Sequence, residues 1–371
     1  MNHTYNSLFE KIAINQRELP NRYVVAPMTR ISAENNGLAN ETMKRYYERY
    51  AKGGFGTIIT EGIYPDEEYS QGYHHQPGLA NVEQLESWKP IVESVHANSS
   101  LFIAQLMHAG SQSQGNPHAD HSIAPSAVKP KKDMVPLYGG EGPYPVPTEM
   151  SHEDMEQVKQ GFAKAAQHAK EAGFDGVEIH GANGYLLDEF LTDYMNLRED
   201  QYGGATKNRV RFLTEVIHSV REAVGKEFMV GIRISQGKVT DAEHRWSLGE
   251  SDAETIFTEL GDTSLNYIHV TDASGTQPSF GEGSRSIAEA AKQYTGLPTI
   301  ANGQLQDPET AHSLIKENKA DLVSLATSAL QNPDLPHRIM YNKEIKPFDF
   351  DPIMLPKAYI KEHELEKEII E

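Results

Sequence analysis

The 371-residue chain contains no cysteine. That absence removes disulfide bridges, thiolate metal sites and a cysteine nucleophile together, and it fits a reducing compartment. Long hydrophobic runs are missing too. No stretch of about 18 apolar residues occurs, so no segment is expected to span a membrane. The opening MNHTYNSLFEKIAIN has no basic region leading into an apolar run, so no secretory signal is expected there. Positive charge is scarce. With 34 basic against 53 acidic residues the formal charge is −19, the wrong sign for binding a phosphate backbone. Nucleic acid is therefore not an expected partner, and any phosphate must be held by backbone N–H groups and a few placed cations. Together these absences lead to the expectation of a cytoplasmic, soluble protein.

Several catalytic signatures are also lacking. The first apolar run, Val24–Met28, leads into Thr29-Arg-Ile-Ser rather than into G-x-G-x-x-G, which argues against a dinucleotide-binding open sheet. No G-x-S-x-G elbow is present, so a serine hydrolase is not indicated. Histidines cluster at His74-His75 and His118-Ala-Asp-His121, but in polar, loop-like segments without helical His-Glu-x-x-His spacing. No metal is expected.

What the chain does have is a recurrent alternation. Short apolar runs at Val24–Met28, Thr57–Glu61, Leu101–Met107, Gly176–His180, Phe228–Ile234, Tyr267–Thr271, Thr299–Asn302 and Leu322–Leu325 are separated by amphipathic segments. Eight strand-plus-helix units predict a TIM (β/α)8 barrel over residues 1–345, with a doubly wound sheet as the competitor. Two helices have defined ends. Ser151 and Asp154 form a capping-box-like start to a stripe of Met155, Val158, Phe162, Ala166 and Ala169 that Gly173 stops. Val210, Leu213, Val216, Ile217, Val220 and Val224 form a second stripe closed by Gly225. Residues 111–150 carry seven prolines and no periodicity, and read as a loop or hairpin excursion after the third strand, over the barrel mouth. Residues 346–371 are a charged tail, expected to pack on the barrel or at an oligomer contact.

Barrel chemistry gathers at the carboxyl ends of the strands. In Val177-Glu178-Ile179-His180, period-2 alternation turns Glu178 and His180 inward. Gly181-Ala-Asn183-Gly-Tyr185 follows, so an imidazole, an amide and a phenol are presented together. Imidazole and amide N–H groups can aim at one developing oxyanion, and a phenol can deliver a proton at neutral pH. The same residues also suit a hydrogen-bonded core histidine and a packed aromatic at a helix start. Arg233 ends another run, and a buried guanidinium needs a partner, either an anionic cofactor ring or Glu178. Gln105 offers donors and an acceptor that match a flavin pyrimidine edge, and it fits equally as a core amide. Gly303, Ala326 and Thr327 follow the seventh and eighth strands, where barrels commonly bind phosphate.

Taken together, the blocks Asn21-Arg-Tyr-Val-Val-Ala26-Pro27-Met28-Thr29, Gln105-Leu-Met-His-Ala-Gly110, Gly176-Val-Glu-Ile-His180-Gly-Ala-Asn183-Gly-Tyr185 and Asn196-Leu-Arg-Glu-Asp200-Gln-Tyr202-Gly-Gly resemble the old yellow enzyme family, over roughly residues 7 to 340. The resemblance implies a TIM barrel with FMN in its mouth and NADH or NADPH as co-substrate. It places Ala26, Pro27, Met28, Thr29, Gly62, Gln105, Arg233, Gly303, Ala326 and Thr327 around the cofactor. His180 and Asn183 would hold a carbonyl or nitro oxygen, and Tyr185 would donate a proton. The implied reaction is reduction of an activated C=C, with a small electrophilic alkene as substrate and a homo-oligomer compatible with the pattern. Two positions depart from the family. Thr327 stands where an arginine on the FMN phosphate is usual, and Met107 where many relatives carry an aromatic. An FMN-dependent oxidase or quinone-type reductase is the alternative activity, and the loss at Thr327 also raises a flavin-poor binding barrel.

Overall fold

In the computed structural model, which describes residues 4–371, the eight apolar runs form parallel strands that close on themselves. They are β1 (Tyr23–Val25), β2 (Thr57–Ile59), β3 (Leu101–Leu106), β4 (Gly176–Asn183), β5 (Met229–Lys238), β6 (Tyr267–Thr271), β7 (Thr299–Asn302) and β8 (Leu322–Leu325). The order around the barrel is β6-β7-β8-β1-β2-β3-β4-β5, with β5 hydrogen-bonded to β6. The chain is thus a closed TIM barrel, and the open-sheet alternative is excluded.

Alternation sorts the side chains into two layers. Val177, Ile179, Val230 and Ile232 join the large apolar layer between strands and helices. Inside, Val24, Ile59, Ile103, Met229, Tyr267, Ile300 and Leu322 fill the lower barrel. A hairpin of Ile12–Ile14 against Arg17–Leu19 closes that end with Ile14 and Leu19. This plug was not expected from the sequence, because three-residue strands are too short to show a period.

Helix ends follow the local chemistry. Ser151 caps His152–Ala172 by accepting from the Asp154 N–H, and Asp154 accepts from the Ser151 N–H at 2.7 Å. Gly173 ends that helix in the left-handed region at φ 97°. Strand ends differ from the sequence reading in both directions. β1 stops before Ala26 and Pro27, since proline has no N–H for the ladder. β4 runs on to Asn183 through a register shift between Gly181 and Asn183, and β5 runs on to Lys238. The irregularity re-aims the chain at the mouth, as bulges beside functional sites do.

The segment after β3 takes the loop form. Its two-residue strands, Ile123–Ala124 and Thr148–Glu149, pair in parallel. Residues 346–371 fold back on the barrel: Arg30, fully buried, donates to Ala358 O at 2.8 Å and to Glu364 Oε1 at 2.7 Å.

Candidate active site

The carboxyl ends of the strands surround an open-topped cavity of about 280 Å³. Pro27, Met28, Thr29, Gly62, Gln105, His180, Asn183, Tyr185, Arg233, Ala326 and Thr327 all line it. Of the expected site residues only Ala26 and Gly303 do not. Ala26 is buried beside β8, its N–H donating to Leu325 O at 2.9 Å. Gly303 faces the loop after β6, where a β-carbon would lie 2.5 Å from Asp272 O. Close backbone packing, at φ 132°, requires a glycine there.

His180 and Tyr185 meet edge to face, with ring centroids 5.1 Å apart. Burial, with Arg233 and His269 nearby, depresses His180 well below the ordinary histidine range. The imidazole is therefore neutral, and its buried Nδ1 has no partner among the described residues. Burial raises Tyr185 well above the ordinary phenol range, so the hydroxyl keeps its proton at neutral pH. That hydroxyl hydrogen-bonds the hydroxyl of Tyr73. Tyr73 in turn packs against Tyr138 of the excursion at 4.9 Å.

The turn carrying these groups is held from behind. Asn183 and Gly184 are both left-handed, at φ 63° and 82°. The Asn183 N–H donates to Ser235 Oγ at 2.8 Å, and its carbonyl accepts from Gln112 Nε2 at 3.0 Å. Gly184 N–H donates to Asp188 Oδ2 at 2.6 Å, and both Asp188 oxygens accept from Lys238 Nζ at 2.7 Å. The Asp188–Lys238 pair is buried, which is tolerable only because each charge meets the other.

Of the two partners the sequence left open for Arg233, Glu178 makes no ion pair with it; among the described residues its one side-chain hydrogen bond is a long 3.5 Å contact from Nη2 to Asn302 Oδ1, and its buried Nε has no partner. Burial pulls it down to about 10, against the pull of Glu178 and Tyr185, so it stays charged at neutral pH. Glu178 is engaged elsewhere, by Gln105 Nε2 at 2.8 Å, His269 Nδ1 at 2.9 Å and Tyr267 OH at 3.2 Å. A cavity with one under-partnered buried cation and an amide beside it suits a planar anion-forming ring with a polar edge.

Sequence reasoning missed Tyr73, Tyr138, Phe348, Phe350 and Met354, all of which contact this site or line it. Tyr73 lies in a loop without periodicity, and the rest come from the excursion and the tail, where residue type alone gives no direction.

Such a cavity in such a barrel defines a flavin-binding oxidoreductase. The comparisons agree. Residues 7–346 match the model of the NADH:flavin oxidoreductase / NADH oxidase family. A probable flavin mononucleotide-dependent alkene reductase of Leishmania infantum is 33% identical over 337 residues, covering 88% of each chain. The 12-oxophytodienoate reductase 7 of Oryza sativa subsp. japonica is 33% identical over 353 residues, covering 90% of this chain and 88% of that one. Among solved structures, the old yellow enzyme homologue from Zymomonas mobilis is 30% identical, with TM-score 0.87 over 98% of this chain and all of that one. Morphinone reductase in complex with tetrahydroNAD gives 30% identity and TM-score 0.84, over 98% of both chains. The chain belongs to the NADH:flavin oxidoreductase family, the old yellow enzymes, and is an FMN-dependent enzyme supplied by a reduced nicotinamide. The flavin-free binding barrel is set aside.

Proposed function

We propose that the enzyme reduces the activated C=C of an α,β-unsaturated carbonyl or nitro compound, with Tyr185 as proton donor. The observation that carries this reading is the pairing of a neutral, buried His180 with a protonated, buried Tyr185 in one cavity with Arg233. Bound FMN supplies the hydride that originates on NADH or NADPH. The residues of this chain do the rest.

His180 and Asn183 hold the substrate oxygen. A neutral imidazole donates one hydrogen bond without giving up a proton, and the hydrogen bonds strengthen as negative charge grows on that oxygen. Tyr185 delivers its proton to the α-carbon, and Tyr73 keeps the phenol aligned through their shared hydrogen bond. Arg233 would offer its Nε and its charge to the polar edge of the flavin, and Gln105 its side-chain carbonyl oxygen. Pro27, Met28, Thr29 and Gly62 would frame the ring, and Gly303, Ala326 and Thr327 would serve the phosphate. The aromatic ceiling of Tyr73 and Tyr138 excludes water from the reacting carbons.

A cytoplasmic setting is compatible with the cysteine-free composition. The test is a comparison of two rates. Anaerobic turnover of a cyclic enone with NADH or NADPH is expected to exceed aerobic nicotinamide oxidation without enone. Oxidation running at the same rate with or without enone would favour an oxidase.

A further inference from the structure

The cavity's amide, imidazole and guanidinium groups lie on one side, and an apolar patch flanked by Thr29 and Thr327 lies on the other, as barrel topology dictates. Gln105, His180, Asn183 and Arg233 stand on β3, β4 and β5. In the closed order, β8 and β1 lie diametrically opposite β4 and β5. On that far side the wall is built from Phe348, Phe350 and Met354 of the C-terminal segment, with Met28 and Leu330. The segment begins where the family-matched region, residues 7–346, ends.

Its placement is enforced by interactions with the loops after β8 and β1. Asn332 bonds the backbone of Lys346 in both directions at 2.9 Å, and Asp349 N–H donates to Gln331 Oε1 at 3.2 Å. Further along, Ile360 N–H donates to Ser32 Oγ at 2.8 Å, and Arg30 holds Ala358 O and Glu364. Arg30 immediately follows Thr29, so one residue joins the cavity rim to the tail. Phe348 and Phe350 pack edge to face at 6.3 Å, which fixes the wall's shape.

An isoalloxazine ring is itself divided, polar at its pyrimidine edge and apolar at its dimethylbenzene edge. We propose that residues 346–371 are a cofactor-retaining wall: Phe348, Phe350 and Met354 seat the dimethylbenzene edge of FMN, and the Arg30 clamp keeps them there. The proposal rests on the ring orientation that Gln105 and Arg233 set, not on which alkene is reduced. Apolar contact therefore supplies a share of FMN affinity from outside the barrel proper.

The test is the FMN dissociation constant of the holoenzyme, read from the fluorescence of released FMN on dilution. Phe350 is 45% exposed and Met354 half-buried at the edge of the core, so Phe350→Ser with Met354→Ser removes no fully buried side chain. Circular dichroism and melting verify the fold. The double variant is expected to release FMN with about tenfold weaker affinity, and Phe350→Leu with Met354→Leu to restore it. Unchanged FMN affinity in the serine variant would overturn the proposal. A raised KM for enone at unchanged FMN affinity would also overturn it, by assigning the wall to substrate, while leaving the ene-reductase reading standing. Loss of enone turnover in Tyr185→Phe at unchanged FMN affinity reports on that reading alone.

Discussion

The carboxylate of Glu178 accepts a 2.8 Å hydrogen bond from the side-chain amide of Gln105. The second Glu178 oxygen accepts from His269 Nδ1 and from Tyr267 OH. Burial pushes Glu178 up, but His269, Arg233 and Gln105 outweigh it, and the group sits below the usual carboxylate range. A carboxylate thus lies beneath the cavity. It also fixes the amide, so Gln105 Oε1 is the atom left to face the cavity.

Removing that charge has an electrostatic signature. Glu178→Gln is expected to raise the midpoint potential of bound FMN by about 30 mV or more, since a nearby carboxylate opposes added electrons. A potentiometric titration of the holoenzyme measures it, and an unchanged or lower potential would remove Glu178 from the electrostatics of the site.

The ion pair behind the catalytic turn is a stability element. Lys238→Met leaves Asp188 buried without its partner and is expected to cost about 3–5 kcal/mol in denaturant unfolding. Lys238→Met with Asp188→Leu, which removes both charges, is expected to cost less than the single change. If the double variant were the less stable, the unpaired-charge explanation would be wrong.

Glu189 gives the pH dependence a definite sign. Burial raises it from 4.5 to about 8, against the hydrogen bonds from Ser111. The folded state therefore holds a proton that the unfolded chain releases near 4.5, so stability is full below that pH. It falls as pH rises from about 4.5 to about 8 and then levels. Glu189→Gln is expected to flatten that fall, measured as unfolding midpoints in urea between pH 5 and about 8.5. A parallel pH profile in the variant would mean that Glu189 does not titrate in this window.

The barrel was legible because each strand is an apolar run bounded by glycine or polar residues, and β6, β7 and β8 have the bounds that the runs predict. Glu178 and His180 were legible because period 2 fixes their direction. The Arg233 alternatives were not, since sequence cannot say that Glu178 is held by His269 and Tyr267 instead. Gly231 shows why: a β-carbon there would lie 2.1 Å from the Tyr267 ring, so its absence lets the ring reach Glu178. That contact reaches from β6 across β5 to β4 and leaves no local pattern. Tyr73 and the tail aromatics are of the same kind, because loop geometry decides what they face. Gly303 was expected beside a phosphate because it follows the seventh strand; its close packing on Asp272 and Gly275, which also requires a glycine, joins two loops and leaves no local pattern.

In the proposed reaction Tyr185 supplies the proton while other groups handle the nicotinamide step. Stopped-flow absorbance of Tyr185→Phe separates the two half-reactions. Flavin reduction by NADH is expected within about twofold of the parent enzyme, with flavin reoxidation by a cyclic enone slowed about 100-fold or more. Equal slowing of both halves, or full-speed reoxidation by enone, would contradict the account.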